Sequence, residues 1–167
     1  MGSMVLRGGR IIDVANAIDH TGDVLIRNGV IEQISKSQLS HNEGELIDCE
    51  GCIISPGLID IHVHFREPSN GKHEETIETG SASAVAGGFT TVCTMPNTTP
   101  AIDTPQLIST SLEQSSEIGM CRVLPTGCAT IGRQGTTMAN IKAMVDSGAI
   151  AITDDGDVVE QDEMMAA

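Results

Sequence analysis

Along the first third of the chain the apolar residues come in short runs broken by turn formers: MVLR, RIID, DVLI, VIEQI, LIDC and CIIS. Runs of that length with Gly, Asn and Asp between them predict short β-strands. The clearest piece is 23–34, where Asn28-Gly29 supplies the two positive-φ positions of a type I′ hairpin. Residues 4–56 are therefore expected to form a small, composite, sandwich-like β domain with Pro56 at its boundary. Met1-Gly2-Ser3 reads as a cloning remnant ahead of Met4 and is left out of that domain.

From Gly57 the period changes. Strand-like segments at 58–65, 90–95, 121–126 and 149–153 alternate with helical windows at 74–86, 104–118 and 137–147. Each window runs into glycine, at Gly87-Gly88, Gly119 and Gly148, as a left-handed helix end prefers. In the third window Met138, Ile141, Met144 and Val145 share one helical face. Strand, helix, strand with short links predicts right-handed βαβ units on a parallel sheet, an α/β fold. Four such strands are half of a (β/α)8 barrel, whose usual size is ~250 residues, or the start of a doubly wound sheet. Periodicity leaves both open.

Charge narrows the functional classes. The 167 residues carry 9 Lys and Arg against 23 Asp and Glu, a net charge of −14, which opposes nucleic acid and anionic membrane surfaces. Phe65 and Phe89 are the only aromatic residues, so stacking platforms for single-stranded bases are missing too. Hydrophobic residues make up 40%, enough for a real core, yet no apolar run approaches the ~20 residues of a membrane span. With no secretory signal, a cytoplasmic protein is expected. The five cysteines, at 49, 52, 93, 121 and 128, then read as reduced thiols. Cys49 and Cys52 form a CxxC whose Glu50-Gly51 centre reads as a turn between two β segments rather than a metal knuckle.

The chemistry concentrates at the strand ends. In GLIDIHVHFREP, residues 57–68, the period of two puts Asp60, His62, His64 and Arg66 on one face and Ile61, Val63 and Phe65 on the other, toward helices. Two imidazoles two apart on a strand can clasp a divalent ion. Their place at the C-terminal end of a barrel strand is where such sites sit. Arg66 beside them suits a substrate carboxylate, which a guanidinium grips bidentately. Pro96 stops the second strand and leaves Asn97 at the same rim. The fourth strand ends in Asp154-Asp155-Gly156, so either carboxylate could join the histidines.

Taken together, PGLIDIHVHFREP, HEETIETGSASAVAGGFTTVCTMPNTTPAIDT, CRVLPTGCATIGRQG and AITDDG resemble the dihydroorotases of the amidohydrolase superfamily, in their class I bacterial form. The resemblance runs from Met4 to the end of the chain. It implies a β domain followed at 57–167 by the first four β/α units of a (β/α)8 TIM-type barrel, with Zn2+ (one or two ions) at its C-terminal mouth. It implies that His62 and His64 are metal ligands, that His64, Arg66 and Asn97 contact the substrate, and that Asp155, favoured over its neighbour Asp154, bridges the metals. The implied reaction is reversible hydrolysis of the ring amide of dihydroorotate to carbamoyl aspartate in pyrimidine synthesis, by metal-ion catalysis.

The family's remaining histidines and its general acid/base aspartate come from later strands, so 167 residues read as a fragment, with an open edge at 149–153. His20, His41 and His73 do not replace them and read as surface residues. Two other readings stay open. One is a non-catalytic scaffold subunit for an aspartate transcarbamoylase, against which the intact His62, His64, Arg66 and Asn97 speak. The other is an allantoinase or hydantoinase, whose relatives usually offer a lysine where this chain has none after Lys142. The family leaves a homo-oligomer open as well. The 167-residue chain alone, assayed with dihydroorotate and Zn2+, is expected to give no turnover; enzyme-like rates in that assay would refute the fragment reading.

Overall fold

The computed structural model describes residues 2–41, 43–69 and 75–160. His73 and the start of the first helical window at Glu74 lie outside them. The chain divides into two compact units between Pro56 and Gly57.

In the first unit, β1 (Ser3–Asp13), β2 (Ile18–Arg27), β3 (Val30–Ser35), β4 (Glu45–Asp48) and β5 (Ile53–Ile54) make one mixed sheet in the order β3-β2-β1-β4, with β5 also on β1. Strands β1 to β3 are antiparallel neighbours, while β4 and β5 run parallel to β1. The two runs MVLR and RIID are thus one strand. It is continuous because the register shift between Leu6 and Gly9 is absorbed at Gly8, whose φ is +75°. Ser3 belongs to this strand and pairs with Arg27, so structure begins ahead of Met4. The hairpin forms as expected, with Asn28 and Gly29 at φ 52° and 80° and Arg27 opposite Val30. Cys49 and Cys52 flank a turn closed by Cys52 N–H to the Cys49 carbonyl at 2.9 Å.

The buried charge of this sheet is Asp23, 3% exposed. Its Oδ1 accepts the Gly8 N–H at 3.0 Å, and its Oδ2 accepts the Leu39 N–H at 2.9 Å and Arg7 Nε at 3.4 Å. Burial alone would raise its pKa. The Leu39 and Gly8 amides and the Arg7 guanidinium more than offset that and hold it below the usual carboxylate value.

The second unit alternates β6 (Leu58–Val63), α1 (Ile77–Ala86), β7 (Phe89–Thr94), α2 (Pro105–Ile118), β8 (Arg122–Pro125) and α3 (Ile141–Asp146). The sheet is parallel, in the order β6-β7-β8. A doubly wound sheet reverses its order at a switch point; here every unit adds to the same edge, as in a barrel. Thr76 and Thr79 form a capping box on α1, and Thr104, with Pro105 in the first turn, caps α2.

Phe65 (4% exposed) packs with Ile77, Val92 and Val123, which seats α1 on the sheet. Gly80 stands mid-helix because a Cβ there would lie 2.0 Å from the Phe65 ring. A second cluster, Ile102, Ile108, Ala139, Met144 and Ala149, lies under α2 and α3.

Four expectations shift. Ile61, at 75% exposure, does not join Phe65 in the core. Gly119 is extended (φ −70°, ψ 132°) rather than left-handed. The third window is helical only from Ile141, because Ala129 and Ile131 bond 137–139 as a short antiparallel bridge and Asn140 caps the helix at Ala143; Met138 therefore leaves the helix, and Val145 is exposed. Finally, 149–153 runs beside β8 with one parallel bridge, Gly127 to Ile152, and three hydrogen bonds, short of a full strand. No helix among the described residues is long and apolar enough to cross a membrane.

Asp23→Asn is expected to cost about 1.5–3 kcal/mol at neutral pH, the range for hydrogen bonds to a charged group, read from urea unfolding of the whole chain. Because the folded pKa is depressed, the native carboxylate's contribution is complete above its ordinary value of 3.8 and is lost as pH falls through the lower folded value. The two proteins should therefore converge only in strong acid; a gap that persists there would assign the effect to packing.

Candidate metal and substrate site

His62 lies near the end of β6, and His64 and Arg66 follow on its extension, so alternation carries all three toward one rim. Asn97 sits just past β7, behind the buried Pro96. Asp155 arrives from the turn after the segment bridged to Gly127. Each strand ends at the same edge because the sheet is parallel.

His62 Nε2 is 3.1 Å from Asp155 Oδ1 and His64 Nε2 is 3.8 Å from Asp155 Oδ2. One ligand atom from each of the three residues lies within 4.8 Å of the others. Behind them, the Asn97 amide joins the group. Its Nδ2 donates to Asp155 Oδ2 at 2.6 Å, and its Oδ1 faces His64 Nδ1 and Arg66 Nη1, each at 3.0 Å. Arg66 Nη1 also donates to the Asn97 backbone carbonyl at 3.0 Å. Since an amide oxygen only accepts, His64 Nδ1 must carry a proton, so Nε2, the nitrogen nearer Asp155, is the one that a neutral ring would offer to a metal. That is the tautomer a metal ligand needs. Asp60 is turned along its own strand, where its carboxylate accepts the His62 N–H at 3.0 Å.

The two adjacent aspartates have opposite environments. Asp154 is 5% exposed; its carboxylate accepts the Thr130 N–H at 3.0 Å and the Thr130 hydroxyl at 2.5 Å. Asp155 is turned the other way by a left-handed backbone, φ 25°, with its N–H on Thr153 Oγ1 at 3.0 Å. Its carboxylate therefore meets the histidines and Asn97. Cys128 is not among the clustered ligand atoms; burial, with Asp154 and Asp103, pushes its thiol up to about 12.

The structure thus brings together His62, His64, Arg66, Asn97 and Asp155. His20 and His41 are half-buried in the first unit. Thr130 and Arg133, which hold the aspartate turn, went unread in the sequence. Their one signal was the glycine-flanked TIGRQG segment, polar and basic, next to a strand end.

Comparison with known proteins gives concordant results. The profile of the Dihydro-orotase-like family matches residues 51–167. The dihydroorotase of Aquifex aeolicus is 43% identical over 162 residues, 97% of this chain and 38% of that protein. The dihydroorotase of Solibacter usitatus is 45% identical over 153 residues, 92% of this chain and 35% of its own. The chain therefore spans well under half the length of these curated relatives. Among solved structures, the L-hydantoinase (dihydropyrimidinase) of Arthrobacter aurescens superposes with a TM-score of 0.77 at 24% identity, over 91% of this chain and 32% of that one. At that identity the likeness speaks for the fold.

The division of labour between the aspartates predicts unequal damage. Asp154→Asn, which sets an amide N–H against one of the two Thr130 donors, should cost about 2 kcal/mol. Asp155→Asn should cost well under half as much, both read from urea unfolding without metal. Equal losses would contradict the separation.

Proposed function

The chain belongs to the Dihydro-orotase-like family, and on that premise we propose that it carries the metal-binding and carboxylate-binding residues of a dihydroorotase. The reaction is the reversible hydrolysis of a cyclic amide. Water adds across the ring C–N bond of dihydroorotate, the bond breaks, and carbamoyl aspartate results.

What carries the reading is the contact between the two sets of groups: Asn97 bonds Arg66 and His64 through one oxygen and Asp155 through its nitrogen. His62, His64 and Asp155 would hold Zn2+. Two imidazole nitrogens and a carboxylate are a donor set this borderline ion accepts, and three protein ligands leave a position open. An ion there supplies Lewis acidity to the amide carbonyl. The chain's own residues do the rest of the local work. Arg66 supplies the cation that an anionic ring requires in a chain of charge −14, and Asn97 orients the ring carboxylate beside it. Pyrimidine synthesis is the setting that this substrate implies. All five cysteines are unpaired, which suits a reducing compartment, so the cytoplasm is the proposed location.

Zn2+ binding by the chain, followed by equilibrium dialysis, is expected to be lost in His62→Ala and His64→Ala. The Zn2+-loaded chain should bind dihydroorotate in preference to dihydrouracil, the same ring without the carboxylate. Arg66→Gln should weaken the acid about tenfold or more, as loss of a charge-assisted contact does, and leave dihydrouracil unchanged. Equal binding of the two rings would overturn the reading.

A further inference from the structure

Arg133 lies on a 3-10 turn (Ile131–Arg133) after β8 and itself has a left-handed backbone, φ 60°. Its side chain, 19% exposed, reaches the aspartate turn in three places. Nε donates to the Asp154 carbonyl at 2.8 Å, and Nη2 to the Asp155 carbonyl at 2.6 Å and to the Asp157 carboxylate at 2.6 Å. The Arg133 turn is anchored in its own right. Arg133 N–H bonds the Thr130 carbonyl, and Gly132 N–H bonds the Asp103 carboxylate at 2.8 Å. A left-handed non-glycine residue is strained and persists only where its surroundings over-determine it. Two such residues, Arg133 and Asp155, face each other here, joined by the guanidinium.

We propose that Arg133 is a positioning residue for the metal centre. It grips consecutive carbonyls with a planar fork, and so holds the Asp155 carboxylate turned toward His62 and His64 while Asp154 points into the core. Lysine cannot reproduce that fork, because an ammonium offers no coplanar pair of donors. The inference rests on the metal reading above for its affinity readout.

The sign of the effect separates positioning from charge. As a plain cation Arg133 would repel Zn2+, so its removal would tighten binding; as a clamp, its removal must weaken it. Arg133→Gln and Arg133→Lys should both weaken Zn2+ binding by the chain by about 10–100-fold, the usual effect of losing an outer partner of a metal ligand. Asp157→Asn, which spares both carbonyl contacts, should stay within about twofold. Circular dichroism checks that each variant folds, and Arg133→Lys stands in if Arg133→Gln does not. In the metal-free chain the Asp155 amide, held on Thr153, should exchange faster in Arg133→Lys than in the parent. Unchanged or tighter Zn2+ binding in the arginine variants, or an equal loss in Asp157→Asn, would overturn the proposal. If the parent itself binds no Zn2+, the metal reading fails, and unaltered Asp155 exchange would then overturn the clamp independently.

Discussion

A single amide, the side chain of Asn97, organises the rim. It accepts at one atom and donates at the other, and both ends are engaged: the oxygen with His64 and Arg66, the nitrogen with Asp155. A carboxylate could not donate to Asp155, and a lysine could not accept from His64 or Arg66. The amide also sets the proton on His64, because an oxygen acceptor at Nδ1 requires N–H there and bares Nε2. Residues that follow β6, β7 and the segment 149–153 are thereby linked through one side chain.

That link is available only because the backbone has brought the three ends together. Sequential parallel strands place every carboxyl end on one side of the sheet, and Phe65 against Gly80 fixes α1 close to β6. A glycine inside a helix costs about 1 kcal/mol relative to alanine, and burying a phenylalanine returns about 2–3 kcal/mol. The exchange favours close packing exactly one residue before Arg66. At the far end, Thr130 takes one aspartate inward and the positive φ of Asp155 sends the next outward. Adjacent residues of identical chemistry thus perform different tasks, one in the core and one at the rim.

The match to the Dihydro-orotase-like family and the superposition on the L-hydantoinase agree with the fold described. They do not explain the local supports. Thr130 and Arg133 contact the Asp154-Asp155 turn from a loop more than twenty residues away in sequence.

Much of the site was legible in the chain. His62, His64 and Arg66 share a face by period two alone, and Pro96 announced the strand end that leaves Asn97 at the rim. The type I′ hairpin at Asn28-Gly29 was equally local, and local geometry is what a sequence encodes directly. Other features depended on partners distant in the chain. The merging of two runs into β1 needed β2 and Asp23; the shortening of the third helix needed the pairing of 129–131 with 137–139. The resemblance already favoured Asp155 over Asp154; what it could not give was the hold of Thr130 on one carboxylate and of Asn97 on the other. The sequence by itself determined which residue types meet at the rim, because strand alternation and parallel connectivity follow from pattern. Only the tertiary structure decided which atoms face which, because hydrogen-bond competition between non-neighbouring residues settles orientation.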